Sequence, residues 1–273
     1  MPMRLDLHIH STASDGAWTP AAVVRAAVRR LDVIALTDHD TLAGVEQARS
    51  AAAGLPLQVI PAVELSSTHE GREVHILGYF VDPSSPELRR HEVLAVGARE
   101  RRMEEMIKRL GAQGIGIEMS AVIEAAGPDR STLGRPHLAR ALVQAGHAHN
   151  IPDAFDRWIG DSRPAFVPVA LVDPSGAVDV VRSAGGIAVW AHPPGDLVDA
   201  LLPGLVRAGL GGLEVYRPRV GADQIGRLER TARSAGLLVT GGSDWHTPDA
   251  GSQLGDFHVT ADELGPFLEA GGM

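Results

Sequence analysis

Arg4-Leu5-Asp6-Leu7-His8-Ile9-His10 is the stretch on which the fold turns. Leu5, Leu7 and Ile9 alternate with Asp6, His8 and His10, so it reads as a strand with one apolar face and one face that carries two imidazoles. Downstream, short β-branched or leucine-rich runs at 32–36, 57–63, 73–81, 186–191, 212–216 and 237–240 read as further strands. Between them, apolar residues recur at helical spacing. Thr19-Pro20 offers an N-cap and a first-position proline for one helix, and others are expected at 42–53, from 174, at 199–208, at 222–234 and from 261. The stretch 86–168 breaks the rhythm, with a long mixed-charge helix over 86–110 followed by helical segments near 120–126, 136–145 and 152–159. The expected architecture is α/β: a barrel of βα units from residues 1–85 and 169–273 that brackets a helical insertion at 86–168.

The composition narrows the function classes. The chain has 273 residues, 44% hydrophobic and 22% charged, with a mean hydropathy near zero, as in ordinary globular proteins. No apolar run approaches the ~18 residues of a spanning helix, and the first residues lack the features of a secretory signal, so a cytoplasmic protein is expected. With no cysteine, disulfides, thiolate zinc sites, iron–sulfur clusters and a cysteine nucleophile are all excluded. The net charge of −9 disfavours long nucleic acids and anionic membranes as partners, while leaving room for a small anionic substrate. Twelve histidines against two Tyr and five Phe are the first sign of a metal site.

His8 and His10, two apart on a strand, can reach one ion from one face. His39, Glu64 and His192 each follow the expected end of a strand, and Asp244 and His246 come just past another. Loops after the strands of a βα barrel gather on one rim, which also receives Asp15 from the loop after His10. Any one of these histidines alone reads as a surface or hydrogen-bonded core imidazole; their joint placement is what points to metal. His75, early in its strand, fits the pattern least, and His69, His91, His147, His149 and His258 show no such placement.

Several motifs resemble those of the polymerase-and-histidinol-phosphatase (PHP) metal-dependent phosphoesterases. They are Asp6-Leu7-His8-Ile9-His10-Ser11, Thr37-Asp38-His39-Asp40, Val63-Glu64, Glu73-Val74-His75-Ile76-Leu77-Gly78-Tyr79, Ala191-His192-Pro193 and Gly242-Ser243-Asp244-Trp245-His246. More narrowly, His10-Ser11-Thr12-Ala13-Ser14-Asp15-Gly16 with Gly134-Arg135-Pro136-His137 is similar to the branch that removes the 3′-phosphate of nucleoside 3′,5′-bisphosphates and trims short RNA 5′ to 3′. The resemblance extends over effectively the whole chain. It implies a distorted seven-unit β/α barrel with three divalent metals. Position by position, it implies one ion on His8, His10, Glu64 and Asp244, a second on Asp15, His39 and His246, and a third on Glu64, His75 and His192, with Glu64 bridging. Trp18 and Trp245 stand where relatives carry other apolar or aromatic residues, a change that would reshape the pocket without touching the metals.

A mixed N/O donor set suits Mn²⁺, the first expectation, and also Fe²⁺ or Zn²⁺. Paired ions sharing a water suit in-line attack by a bridging hydroxide on a phosphate ester, with no protein nucleophile. Arg135 and His137, at the start of an expected helix, are the substrate-side candidates, since a guanidinium and a helix N-terminus both attract phosphate. Asp40 is the candidate for moving a proton or orienting a water. Asp6 reads either as a partner for an imidazole or as a buried, hydrogen-bonded carboxylate. The run Arg99, Arg101, Arg102, Lys108 and Arg109, interleaved with glutamates, reads as a solvated helix face. Gly241-Gly242 allows a tight turn before Asp244.

The leading expectation is a phosphatase acting on a nucleoside 3′,5′-bisphosphate such as the adenosine compound. The alternatives are a phosphodiesterase acting on short 5′-phosphorylated RNA or a cyclic sugar phosphate, a metal-dependent amidohydrolase, and a non-enzymatic barrel that serves a polymerase assembly.

Overall fold

The computed structural model describes residues 2–248 and 253–273. Eight strands form one sheet: β1 (Arg4–Ile9), β2 (Val33–Leu36), β3 (Gln58–His69), β4 (Arg72–Tyr79), β5 (Ile187–Trp190), β6 (Gly212–Tyr216), β7 (Leu238–Gly241) and the short β8 (Val259–Thr260). Their spatial order is β7-β6-β5-β4-β3-β2-β1-β8. The sheet curls on itself, because the segment after β7 returns to β1: the His10 amide donates to the Trp245 carbonyl at 2.9 Å, and the Trp245 amide to the His8 carbonyl at 3.3 Å. The expected α/β barrel is therefore the architecture found.

Helices α1 (Pro20–Ala27), α2 (Ala43–Ala52), α7 (Pro174–Ser183), α8 (Val198–Ala208) and α9 (Ala222–Ser234) belong to the barrel's βα units. Between β4 and β5 lie α3 (Pro86–Gly111), α4 (Met119–Ala126), α5 (Arg135–Gln144) and α6 (Ile151–Ala154), the last running into a π-helical turn over Phe155–Ile159. Thr19 caps α1 as the sequence suggests, its side chain accepting from the Ala22 amide at 3.3 Å with Pro20 opening the helix. The terminal helix α10 (Ala261–Ala270) plugs the barrel, with Leu264, Phe267 and Leu268 packed among Leu5, Leu77, Tyr79 and Val189. The helices of the 86–168 stretch have an apolar cluster of their own, built on Met103, Met106, Val122, Leu138 and Leu142. No helix among the described residues is long and apolar enough to cross a membrane.

Two local departures position the site. The first is in β1, where Asp6 pairs with Ile34 but Ile9 with Leu36, so one strand advances three residues while the other advances two. The expected strict alternation is thereby broken: Leu5 and Leu7 pack in the inner cluster, whereas Ile9 packs outside with Val23, Val24 and Leu36. The irregularity turns His8 and His10 inward, and the Leu7 carbonyl is satisfied by the Tyr79 hydroxyl at 2.9 Å.

The second is β3, which does not stop at 63 but continues to His69 and folds back through Glu70-Gly71, both at positive φ, as an antiparallel hairpin with β4. That is the primed-turn geometry that suits a twisted two-strand ribbon. The hairpin makes β4 run opposite to β3 and β5, so the beginning of β4 lies at the same rim as the ends of those strands. His75 pairs with Ser66, two residues beyond Glu64, so its early position in the strand is what delivers it to the rim.

Candidate metal centre

Glu64 is the hub. Its side chain is 1% exposed, and its two oxygens face different histidines. Oε2 stands 3.4 Å from His8 Nε2, 3.3 Å from His10 Nε2 and 3.0 Å from His39 Nδ1; Oε1 stands 2.9 Å from His75 Nδ1 and 3.1 Å from His192 Nε2. Asp244 Oδ1 lies 3.3 Å from both His8 Nε2 and His10 Nε2. Asp15 lies 3.4 Å from His246 Nε2 and 3.7 Å from His39 Nε2. All the candidate ligands read from the sequence thus meet at one place. Three groups have ligand atoms close enough to hold an ion: His8, His10 and Glu64; His10, Asp15, His39 and His246; and His39, Glu64 and His75.

The donor chemistry fits divalent cations. His8 Nε2, both His10 nitrogens, His39 Nδ1 and Glu64 Oε2 are buried without a hydrogen-bond partner, a costly state for polar atoms that nothing coordinates. Donors about 2.0–2.2 Å from a tetrahedral ion stand roughly 3.3–3.5 Å apart, which is the spacing of His8, His10, Glu64 and Asp244.

The cluster attracts positive charge. Burial opposes an imidazolium at His8, yet Glu214, Asp244 and Glu64 hold its pKa well above the ordinary value. At His10 burial is likewise overcome, by Asp244 and Glu64, and the pKa is pushed up to about 10. Burial drives His39 down to about 3 despite Glu64 and Asp15. Glu64 itself is held well below the carboxylate range against burial by His39, His75 and His8. A metal ion entering here competes with protons on His8 and His10, while Glu64 and His39 already offer unprotonated donors.

Supporting contacts orient these ligands. Glu214, fully buried on β6 and missed in the sequence, accepts from His8 Nδ1 at 2.8 Å and from the His192 amide at 2.7 Å. The first bond leaves His8 Nε2 as the free lone pair. A glutamate between Leu213 and Val215 in an apolar strand was the available signal. Glu214→Gln is expected to weaken Mn²⁺ binding about 10–100-fold in calorimetric titration, since outer partners of ligating imidazoles have effects of that size. Unchanged affinity would remove this role.

Asp6 accepts from the Ser243 amide at 2.8 Å and its hydroxyl at 2.6 Å, so it is the buried hydrogen-bonded carboxylate rather than an imidazole's partner. Asp38 ties down the loop that carries Asp15, accepting from Ser11 and Ser14. Asp40, His192 and Asp244 all adopt positive φ, a strain of about 1–3 kcal/mol each that tends to collect at functional sites. Gly242 serves by close approach, not by φ freedom: a Cβ there would lie 2.3 Å from His8 Cβ.

Beside the centre opens a cavity of about 370 Å³, lined by Asp15, His39, His75, Asp244 and His246 and also by Glu73, Arg99, Arg102, Arg135 and Arg140. Four expectations change here. Asp40 has no oxygen to spare: Oδ1 accepts from His91 Nε2 and the Ser66 amide, and Oδ2 from Arg99 Nε, each at 2.8 Å. Against burial, Arg99 and His91 hold its pKa far below the usual range, so it is a poor proton donor at neutral pH. His137 is buried and does not line the cavity; its Nδ1 accepts from the Gly134 amide at 3.0 Å, capping α5, and burial lowers its pKa to about 4. Arg99 and Arg102 are not solvated but buried, on the inner stripe of α3 with Ala95, Ala98, Met103 and Met106. His91, read as a bystander, belongs to that stripe too; polar residues in phase with an apolar stripe were the signal.

Arg135 does line the cavity, paired with Glu73 at 2.9 Å and Asp161 at 2.6 Å. Arg140, also missed, donates to the Asp15 carbonyl at 2.6 Å.

Residues 6–109 match the PHP domain family. A 5′-3′ exoribonuclease of Haemophilus influenzae is 35% identical over 98% of this chain and 99% of its own length. A 3′,5′-nucleoside bisphosphate phosphatase of Chromobacterium violaceum is 33% identical over 91% of this chain and 89% of its own. A solved structure described as a metal-dependent phosphoesterase from Bifidobacterium adolescentis superposes with a TM-score of 0.88 at 33% identity, over 97% of this chain and 95% of that one.

Proposed function

The chain belongs to the PHP domain family and is a metal-dependent phosphoesterase, and from that premise we propose that it removes the 3′-phosphate of a nucleoside 3′,5′-bisphosphate. The observation that carries this reading is the shared cavity, lined by carboxylate and imidazole donors of the candidate centre together with four arginines and the Glu73 that pairs with two of them. A neutral amide needs no guanidinium beside the metal donors, whereas a phosphate ester is bound by one. The volume suits a small ligand rather than a long chain, as does the net charge of −9.

In this reading three ions would be held, one by His8, His10, Glu64 and Asp244, one by Asp15, His39 and His246, and one by Glu64, His75 and His192, with Mn²⁺ the first expectation. Such ions would supply Lewis acidity toward phosphoryl oxygens and would activate a water as nucleophile. The chain's own groups do the rest. Glu64, held ionised by the histidines around it, keeps two groups of imidazoles in register. Glu214 holds His8 in the tautomer that faces Glu64 and Asp244. Arg135 and Arg140 would bind the non-bridging oxygens and neutralise charge as the ester breaks, while Arg99 stays committed to Asp40, Ser66 and Leu133. The helices of 86–168 act as a cap: they supply all four arginines, and Gly134 lets them approach, since a Cβ there would lie 2.9 Å from Asp15 Oδ2.

Arg135→Ala is expected to raise KM for the bisphosphate about tenfold or more, the loss of one charge-assisted pair, while metal content by elemental analysis stays unchanged. Loss of metal would show that Arg135 supports the centre instead.

The exoribonuclease name of the Haemophilus relative favours short 5′-phosphorylated RNA as the second reading. The test is phosphate or nucleotide release by the Mn²⁺-loaded protein from adenosine 3′,5′-bisphosphate, 5′-AMP, 3′-AMP, a 5′-phosphorylated trinucleotide and a cyclic sugar phosphate. Conversion of the bisphosphate to 5′-AMP well above the rest is the expected result; preferential cleavage of the trinucleotide or the cyclic ester would replace the substrate.

A further inference from the structure

The wall of the cavity is not uniformly charged: Pro136, Ile151 and Phe155 line it together with the arginines. Building on the nucleotide reading above, we propose that Phe155, backed by Ile151 and Pro136, is a nucleobase-stacking subsite, so that the substrate is a nucleotide and not a bare sugar phosphate.

Aromatic side chains are scarce here, five Phe in 273 residues, and two of them bracket the site's best-placed phosphate ligand. The Arg135 guanidinium carbon lies 5.6 Å from the Phe155 ring centroid and 5.2 Å from that of Phe166. Phe166 is absent from the cavity wall, whereas Phe155 is partly exposed on it. Arg135 is itself held by Glu73 and Asp161, so the ring is fixed against an anchored cation. A ring set in advance loses little freedom when a ligand stacks on it.

The local backbone serves the same end. Phe155 opens the π-helical turn, whose Gly160 amide donates back to the Phe155 carbonyl at 2.9 Å. A π-turn inserts a residue into a helix and shifts the direction of its side chains. Its neighbours Ala154 and Ile159 are fully buried in the helical core, while the Phe155 ring only packs at that core's margin. An aromatic face next to a guanidinium recognises a base and the phosphate attached to it, and inorganic phosphate or a sugar phosphate has no use for the ring. Because every base has a π-face, the subsite tolerates different bases.

The experiment has a binding arm and a kinetic arm, both on the full Mn²⁺-loaded chain. In calorimetry, 5′-AMP is expected to bind roughly tenfold tighter than ribose 5-phosphate, with 5′-UMP much closer to AMP than to the sugar phosphate. Phe155→Leu keeps the bulk and removes the π-face; it should erase most of that difference, and Phe155→Trp should restore it. In turnover, Phe155→Leu should raise KM for adenosine 3′,5′-bisphosphate roughly tenfold and leave KM for its abasic analogue unchanged. Equal binding of AMP and ribose 5-phosphate to the wild type overturns the subsite, as does an equal effect of Phe155→Leu on both ligands, which marks a packing role. Tighter binding of AMP without hydrolysis of the bisphosphate leaves the subsite standing and removes the proposed reaction.

Discussion

Glu64→Gln should lower phosphate release from the bisphosphate by more than about a thousandfold, about 4 kcal/mol of transition-state stabilisation, and should strip most of the bound metal. The amide keeps the volume of the side chain, so the barrel is not emptied. What it loses is the charge that faces His8, His10 and His39 through one oxygen and His75 and His192 through the other. An amide oxygen is a weaker ligand than a carboxylate, and its NH₂ end would point a donor at imidazoles that need an acceptor or a cation. The expected readouts are metal per chain by elemental analysis and phosphate by colorimetry, with circular dichroism unchanged. A variant that kept full metal and activity would contradict the role of Glu64 as hub.

Arg99→Ala should cost about 3 kcal/mol of stability, the range for breaking a buried ion pair, and lower the midpoint of thermal unfolding by about 5 °C. The carboxylate left behind, Asp40, is 1% exposed and depends on Arg99 for its charge balance. The same guanidinium donates to Ser66 Oγ at 2.7 Å and to the Leu133 carbonyl at 3.2 Å, so it ties α3 to β3 and to the approach to α5. His91 and the Ser66 amide still serve Asp40, which keeps the loss at the lower end. Arg101→Ala, an exposed position on the same helix, should change stability by less than about 0.5 kcal/mol. Denaturant unfolding of both variants checks the contrast; a similar small loss for each would show that the Asp40 pair carries no structural weight.

Much of this molecule was legible before any coordinates. Period-two runs and helical spacing are local signals, and they placed the βα units, the helical stretch between β4 and β5 and the Thr19-Pro20 helix start. Ligand types at strand ends indicated one rim, and those side chains do converge there. What local pattern could not carry was direction. The slip in β1 depends on pairing with β2, and it sends Ile9 outward while turning His8 inward. The reversal of β4 rests on the Glu70-Gly71 turn, and without it the place of His75 had no explanation.

The same limit explains the polar residues. Arg99 and Arg102 resemble any charged helix face until the barrel supplies Asp40 and Glu73 as partners. His137 and Asp40 looked free because their partners, the Gly134 amide for one and His91, Arg99 and the Ser66 amide for the other, become apparent only in the folded chain.

The most direct measurement is a metal titration of chelator-treated protein, following conversion of adenosine 3′,5′-bisphosphate to 5′-AMP at each addition of Mn²⁺. The account predicts no turnover without metal, a rise to a plateau as the sites fill, and no such rise in Glu64→Gln. Full turnover by the metal-free protein, or none at any metal loading, would contradict it.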